Sequence, residues 1–129
     1  MKFVTSLEQD DAHADAFLAL MRRLEKESRF WHNRGYILER FRDVVIATGD
    51  DDRVLGFYIS KDGPGGSRIV EFIQAFEERK GLGTMMLEDV CERYEPDNLL
   101  CFEPLDESIG FWKKAGIWAI DGRGKVWSL

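Results

Sequence analysis

Three short apolar runs, separated by turn-forming residues, restrict the fold of this chain more than any other feature. The runs cover residues 44–47, 54–60 and 69–76, and their β-branched and aromatic side chains are typical of strands. Acidic residues at 50–52 interrupt the first pair of runs, and a Gly- and Pro-rich segment at 61–67 interrupts the second. Because loops this short join antiparallel neighbours, the runs predict a three-stranded antiparallel meander.

Helical patterns flank the meander on both sides. Before it, apolar spacing predicts a short strand at Phe3 and Val4, then helices at residues 8–28 and 34–42. After it, a helix carries a one-sided apolar stripe made of Gly83, Met86, Leu87, Val90, Cys91 and Tyr94. A strand at residues 99–102 follows that helix, which predicts one parallel crossover.

The end of the chain predicts one more helix and two more strands. The helix spans residues 107–115, with Asp106 as its N-cap, and the strands span residues 117–120 and 125–129. The whole pattern predicts an α+β fold, in which helices flank a mixed, mostly antiparallel central sheet.

Composition limits the function classes. A length of 129 residues, with 44% hydrophobic and 12% aromatic side chains, fits a single domain with a buried core, residues 1–129. The net charge of -6 argues against nucleic acid as a partner, and no apolar run approaches the ~18 residues of a membrane span. Two cysteines in apolar patterns, without zinc spacing, predict a reduced, cytoplasmic protein that binds no metal.

The segment between the meander and its following helix is the strongest candidate for a ligand site. Its sequence is Glu-Glu-Arg-Lys-Gly-Leu-Gly-Thr, residues 77–84. Backbone N–H groups at a helix N-terminus bind phosphate, Gly81 and Gly83 allow close backbone approach, and Arg79 and Lys80 add positive charge. An ordinary strand-to-helix turn would have similar residues, so the segment alone leaves both interpretations open.

Several motifs in the same order resemble the GNAT N-acetyltransferase superfamily. Ile73, four residues, Glu78, two residues and Gly81-Leu82-Gly83 resemble its acyl-CoA signature, V/I-x4-Q/R-x2-G-x-G/A. The segment Val-Leu-Gly-Phe at 54–57 resembles the family's third strand, and residues 109–117 are similar to its A-I-x-F-Y-x-x-x-G-F helix and turn. The resemblance covers essentially the whole chain.

The resemblance implies an N-acyltransferase that uses acetyl-CoA or another acyl-CoA as co-substrate. The pyrophosphate would bind the loop formed by Glu78, Arg79, Lys80, Gly81, Leu82, Gly83 and Thr84. Pantetheine would lie between two strands and bond to the backbone around Phe72 and Ile73. An amine of a small molecule or a peptide would attack the thioester directly, and the aromatic-cationic link with Trp31, His32 and Arg34 would border the acceptor site. Assembly into a homodimer is a further possibility that the sequence leaves open.

The implied reaction needs a base for the ammonium and a proton donor for the thiolate. Glu71 is the candidate base, because it interrupts an apolar run and is expected to share a strand face with Ile69 and Ile73. A solvent-facing position or a structural ion pair would explain Glu71 equally well. Where many family members have the tyrosine that donates a proton, this chain has Trp112, which we expect in the core.

Two further alternatives follow from the residues themselves. The link at residues 30–34 also fits a hydrophobic staple with surface cations, and His32 fits a solvated loop histidine. Glu78 replaces the family's Gln or Arg, and its carboxylate would repel a pyrophosphate unless it turns outward. These departures favour a second hypothesis, a non-catalytic GNAT-like module that binds acyl-CoA or a protein.

Overall fold

The computed structural model of the chain describes residues 1–6, 12–77 and 81–129, with the backbone alone at residues 28 and 29. The strands are β1 (Lys2–Val4), β2 (Val44–Thr48), β3 (Val54–Asp62), β4 (Arg68–Ala75), β5 (Leu99–Phe102), β6 (Trp118–Ile120) and β7 (Val126–Trp127). The α-helices of the described residues are α1 (Ala12–Lys26), α2 (Ser28–Trp31), α3 (Arg34–Glu39), α4 (Leu82–Tyr94) and α5 (Ile109–Lys114). The predicted start of the first helix, at residues 8–11, lies outside the described residues.

The seven strands form one sheet in chain order. The antiparallel meander is confirmed, since β2, β3 and β4 pair in sequence, and the predicted crossover through α4 makes β4 and β5 parallel. A second parallel pair, formed by β5 and β6, was not predicted. These two strands are parallel because α5 brings the chain back to the same end of the sheet before β6 begins.

Helices cover both faces of the sheet, which explains why β2 and β3 are apolar along nearly their whole length. On one face, here called the α4 face, Val90 and Trp112 pack in a cluster with the sheet. On the other, here called the α1 face, Leu24 and Ile37 pack in a second cluster. The predicted α+β fold, with a mixed and mostly antiparallel sheet, is confirmed.

Two local predictions differ from the structure. Cys91 belongs to the predicted apolar stripe of α4 but is exposed, while Leu82, one residue before the predicted start, is buried. The last helix begins as a short 3-10 turn, Asp106–Ser108, in which Asp106 is the first residue and Leu105 precedes the turn. Asp106 is therefore not the N-cap of α5, whose N-cap is Ser108.

Candidate active site

Strands β4 and β5 separate halfway along β4. They pair only at Arg68 with Leu99, Ile69 with Leu100 and Val70 with Cys101. Beyond Val70 the described residues of β4 pair only with β3, on the opposite edge. The backbone of residues 71–75 therefore has an edge without a strand partner, along an opening that we call the β4–β5 cleft. On this strand the Ala75 carbonyl accepts a hydrogen bond of 2.6 Å from Gln74 Nε2.

A register shift at Glu71 determines what faces this cleft. Ile59 of β3 pairs with Phe72, and the next residue, Ser60, pairs with Val70, so Glu71 has no partner on β3. An extra residue of this kind is a β-bulge, which re-aims the side chains on its strand.

The bulge corrects one prediction about Glu71. Phe72 lies on the α1 face, where its ring centroid is 5.8 Å from that of Tyr36, whereas Ile73 packs against the cluster on the α4 face. Glu71 also contacts Tyr36, so it lies on the α1 face. Glu71 and Ile73 therefore do not share a face, because the inserted residue breaks the alternation that the sequence pattern assumes.

Glu71 lies at the centre of a polar group that we call the Glu71 cluster: Tyr36, Arg40, Lys61 and Glu71. Its side chain is only 3% exposed. Tyr36 Oη donates a hydrogen bond to Glu71 Oε2, and Arg40 Nη1 donates to Glu71 Oε1. Arg40 Nη1 is also 2.6 Å from Tyr36 Oη, and Lys61 Nζ is 3.7 Å from Glu71 Oε2. Of the alternatives for Glu71, the structure thus shows a buried ion pair.

The protonation states of Tyr36 in α3 and of Arg40, the C-cap of that helix, follow from this environment. Burial, together with the hydrogen bond to Glu71, raises the pKa of Tyr36 above its ordinary value. Burial would lower the pKa of Arg40, but hydrogen bonds to Asp43 and Glu71 outweigh it and raise that pKa. Tyr36 therefore stays a neutral donor and Arg40 stays a cation, so Glu71 faces charged and polar groups rather than the apolar surroundings that the sequence suggested.

Sequence reasoning missed Tyr36 and Arg40 as members of this site. Their spacing could have indicated that Tyr36 and Arg40 lie side by side, because residues four apart lie on the same face of a helix. Of the chain's three tyrosines, the other two are engaged elsewhere. Tyr58 is fully buried and its hydroxyl lies 2.5 Å from Asp89 Oδ2, and the ring of Tyr94 is covered by Arg68 at 3.6 Å.

Trp112 lies on α5, at the position for which the family resemblance implied a proton-donating tyrosine. Its side chain is 4% exposed and belongs to the cluster on the α4 face. The expected packing of Trp112 in the core is therefore what the structure shows, and its indole supplies no acidic proton to the cleft.

The start of α4 combines open backbone with tight packing. Gly81 has a φ of 85°, a left-handed conformation that favours glycine, and a Cβ there would meet no atom within 4 Å. At Gly83 a Cβ would lie 2.9 Å from the Phe111 ring, so packing against α5 is a reason for that glycine. The side chain of Leu82 is buried, so only the backbone of this residue can contact a ligand. Glu78, Arg79 and Lys80 lie outside the described residues.

Thr84 is exposed in the first turn of α4. It lines a separate groove of about 1020 Å³ between α4 and β6, together with Cys91 and Trp118. That groove contains neither Glu71 nor the β4 edge. Thr84 therefore borders a different opening from Phe72 and Ile73.

The aromatic-cationic link forms a small surface cluster of its own. Trp31 is half-buried against the core on the α1 face, and the Arg34 guanidinium lies 5.0 Å from its ring centroid. Arg34 Nη1 also donates a hydrogen bond of 2.9 Å to the Trp31 carbonyl, while His32 is exposed. This arrangement matches the alternative in which an aromatic residue packs on the core beneath surface cations.

No group of three or more His, Cys, Asp or Glu side chains within residues 1–6, 12–77 and 81–129 is arranged to hold a metal ion. No helix in those same ranges is long and apolar enough to cross a membrane.

Comparison with known proteins points to one fold. No protein-family model and no curated protein matches the sequence. A structure from Desulfovibrio desulfuricans assigned to the GNAT family matches with a TM-score of 0.64 and 19% identity, over 92% of this chain and 85% of that one. Ribosomal-protein-alanine N-acetyltransferase from Brucella melitensis matches with a TM-score of 0.58 and 18% identity, over 88% of both chains.

Shorter alignments add a fact about length. Acetyltransferase structures from Streptococcus pneumoniae and Deinococcus radiodurans align with 57% of this chain, and the alignments cover 58% and 53% of those chains. The chain thus spans little more than half the length of these two proteins. The fuller matches agree with the order of strands and helices described above, and this chain has the fold of the GNAT acetyltransferases.

Proposed function

We propose that this chain is an acyl-CoA-dependent N-acyltransferase, with acetyl-CoA as the simplest donor and an amine as the acceptor. The observation that carries the proposal is the β4–β5 cleft. Pantetheine is an extended chain with amide groups, and the free edge at residues 71–75 offers backbone N–H and C=O groups to such a chain. The amides around Phe72 and Ile73 are the expected partners.

The phosphate end of the donor fits the start of α4. The first N–H groups of a helix are free to bind an anion, and Gly81 leaves open space beside them. In this proposal the backbone of Gly81, Leu82 and Gly83 contacts the pyrophosphate, and Arg79 and Lys80 supply positive charge. Thr84 contributes its backbone to the same anion site.

The Glu71 cluster supplies the acid–base chemistry. When bound, the thioester provides an electrophilic carbonyl and a thiolate leaving group. An ammonium acceptor must lose a proton before it attacks, and the Glu71 carboxylate both attracts the cation and accepts that proton. Tyr36, kept protonated by burial and by Glu71, takes the role of proton donor that Trp112 cannot fill. Trp31, His32 and Arg34 form the proposed border of the acceptor site.

The acceptor is a small-molecule amine or a peptide amine. The carboxylate of Glu71 selects for a cationic acceptor whatever its size. One structural neighbour is named a ribosomal-protein-alanine N-acetyltransferase, so a peptide with an N-terminal alanine belongs in the first acceptor screen.

The second candidate function is a GNAT-like module that binds acyl-CoA or a protein without catalysis. It is favoured by the ion pair itself, because Tyr36 and Arg40 already donate to both oxygens of Glu71. A carboxylate held in this way stabilises the fold without taking part in a reaction.

Thiol release from acetyl-CoA, measured against a panel of amines and peptides, tests the proposal. We expect an amine-dependent rate that falls at least ~100-fold in Glu71→Gln and in Tyr36→Phe, because general acid–base groups contribute factors of this size. Lys113→Gln, on the exposed end of α5, is the matched control and should keep the rate. Donor binding without turnover for any amine would support the module instead.

A further inference from the structure

We propose that Lys61 is itself an acyl acceptor, so that the chain acylates its own Lys61 Nζ from a donor in the β4–β5 cleft. This inference rests on the proposed function, because it requires an acyl-CoA in the cleft. Lys61 is thereby assigned as a covalent modification site, at the point where β4 and β5 begin to separate.

The position of Lys61 is the first argument. Lys61 lies near the end of β3 and pairs across the sheet with Ile69, which in turn pairs with Leu100 of β5. Its Nζ nevertheless lies 5.2 Å from the ring centroid of Phe102, the last residue of β5. The side chain therefore crosses over β4 on the α1 face, and its amino group lies where β4 and β5 separate.

The carboxylate beside it is the second argument. Lys61 Nζ is 3.7 Å from Glu71 Oε2, which is longer than a hydrogen bond, and the lysine side chain is 43% exposed. Arg40, by contrast, donates directly to Glu71, to Tyr36 and to the Ser60 carbonyl. Lys61 is thus the cation of the cluster that can move by a few ångströms without breaking a short contact.

The reaction balances with groups that are present. The Lys61 ammonium gives one proton to Glu71, and the nitrogen lone pair attacks the thioester carbonyl. A C–N bond forms, the C–S bond breaks, and the second nitrogen proton is released as the amide forms. Tyr36 donates its proton to the departing thiolate and regains one from the nitrogen through Glu71. The products are an N-acyl-lysine, free CoA and one proton released to solvent.

Acylation changes the site that an external amine meets. An amide at Lys61 carries no charge, so Glu71 loses one of its two neighbouring cations. The position beside Glu71 Oε2 then becomes available to the ammonium group of an external acceptor. Self-acylation of Lys61 thereby prepares the site for other amines.

Mass spectrometry after incubation with acetyl-CoA tests the inference. Cleavage after Arg53 and Arg68 releases residues 54–68, in which Lys61 is the only lysine. We expect Lys61 to be acetylated at least about tenfold faster than the exposed lysines Lys113 and Lys114, because the donor is held beside it. The rate constant should not change with protein concentration, since the reaction is intramolecular.

Variants and binding separate the outcomes. Glu71→Gln should slow acetylation of Lys61 and leave Lys113 unchanged, and Lys61→Arg should abolish the modified peptide. Acetyl-CoA binding is followed in parallel by titration calorimetry on the wild-type chain. If acetyl-CoA binds but Lys61 reacts no faster than Lys113, this inference is wrong and the proposed function stands. If acetyl-CoA does not bind, both are wrong.

Discussion

Removing Arg40 tests whether the ion pair under the cleft supports the fold. In Arg40→Leu the Glu71 carboxylate, which is 3% exposed in the wild type, loses its strongest partner. Breaking a buried pair costs about 3–5 kcal/mol, and the lower end applies because Tyr36 and Lys61 remain beside Glu71. With an unfolding entropy of about 2.1 cal/mol/K per residue, or about 270 cal/mol/K for 129 residues, a loss of about 3 kcal/mol lowers Tm by about 11 °C.

The assay is thermal and urea unfolding of a double-mutant cycle. Arg40→Leu/Glu71→Gln should be less destabilised than the sum of the two single variants, because the double variant leaves no buried charge without a partner. Arg53→Leu is the control: its pair with Glu77 has an N–O distance of 2.8 Å, but Arg53 is 55% exposed, and such pairs contribute at most about 1 kcal/mol. A loss in Arg40→Leu no larger than in Arg53→Leu would refute the reasoning.

Two further predictions concern Gly56 in β3 and Cys101 in β5. Gly56→Ala places a Cβ 2.5 Å from the carbonyl oxygen of Gln74 and should lower the free energy of unfolding by about 1–3 kcal/mol. In Gly35→Ala the new Cβ meets no atom within 4 Å, so this variant should stabilise α3 by up to about 1 kcal/mol. Urea unfolding compares the two variants. Burial raises the pKa of the Cys101 thiol from 9.0 to about 11, so the stability it contributes is present below pH 9 and is lost as pH rises towards 11. The free energy of unfolding should fall more steeply between pH 8 and 11 in the wild type than in Cys101→Ala, by ~2–3 kcal/mol over that range. Parallel curves for the two proteins would contradict this.

The sheet was predictable from the sequence because its strands are short, apolar and separated by clear turn residues. The run at residues 54–60 illustrates this, since it is buried on both faces and shows no helical spacing. The bulge at Glu71 was not predictable in the same way. A register shift depends on how two strands pair. The prediction assumed that side chains alternate strictly between the two faces along β4, and that assumption leaves no place for a bulge.

The Glu71 cluster shows the same limit for the candidate site. The sequence identified Glu71, because a carboxylate within an apolar run is conspicuous. It did not identify Tyr36 and Arg40, which lie more than 30 residues earlier and come together with Glu71 only when α3 packs over β4. Local spacing specifies neighbours within a helix, whereas partners on different elements depend on the tertiary fold.

The binding of an acyl-CoA in the cleft is the central claim, and thermal unfolding with and without acetyl-CoA tests it most directly. At ~100 times its dissociation constant the ligand should stabilise the chain by ~2.7 kcal/mol, which raises Tm by about 10 °C. Arg79→Glu/Lys80→Glu should lose this shift, while Lys113→Glu/Lys114→Glu, an adjacent cationic pair on α5, should keep it. An unchanged Tm at millimolar acetyl-CoA would contradict the claim.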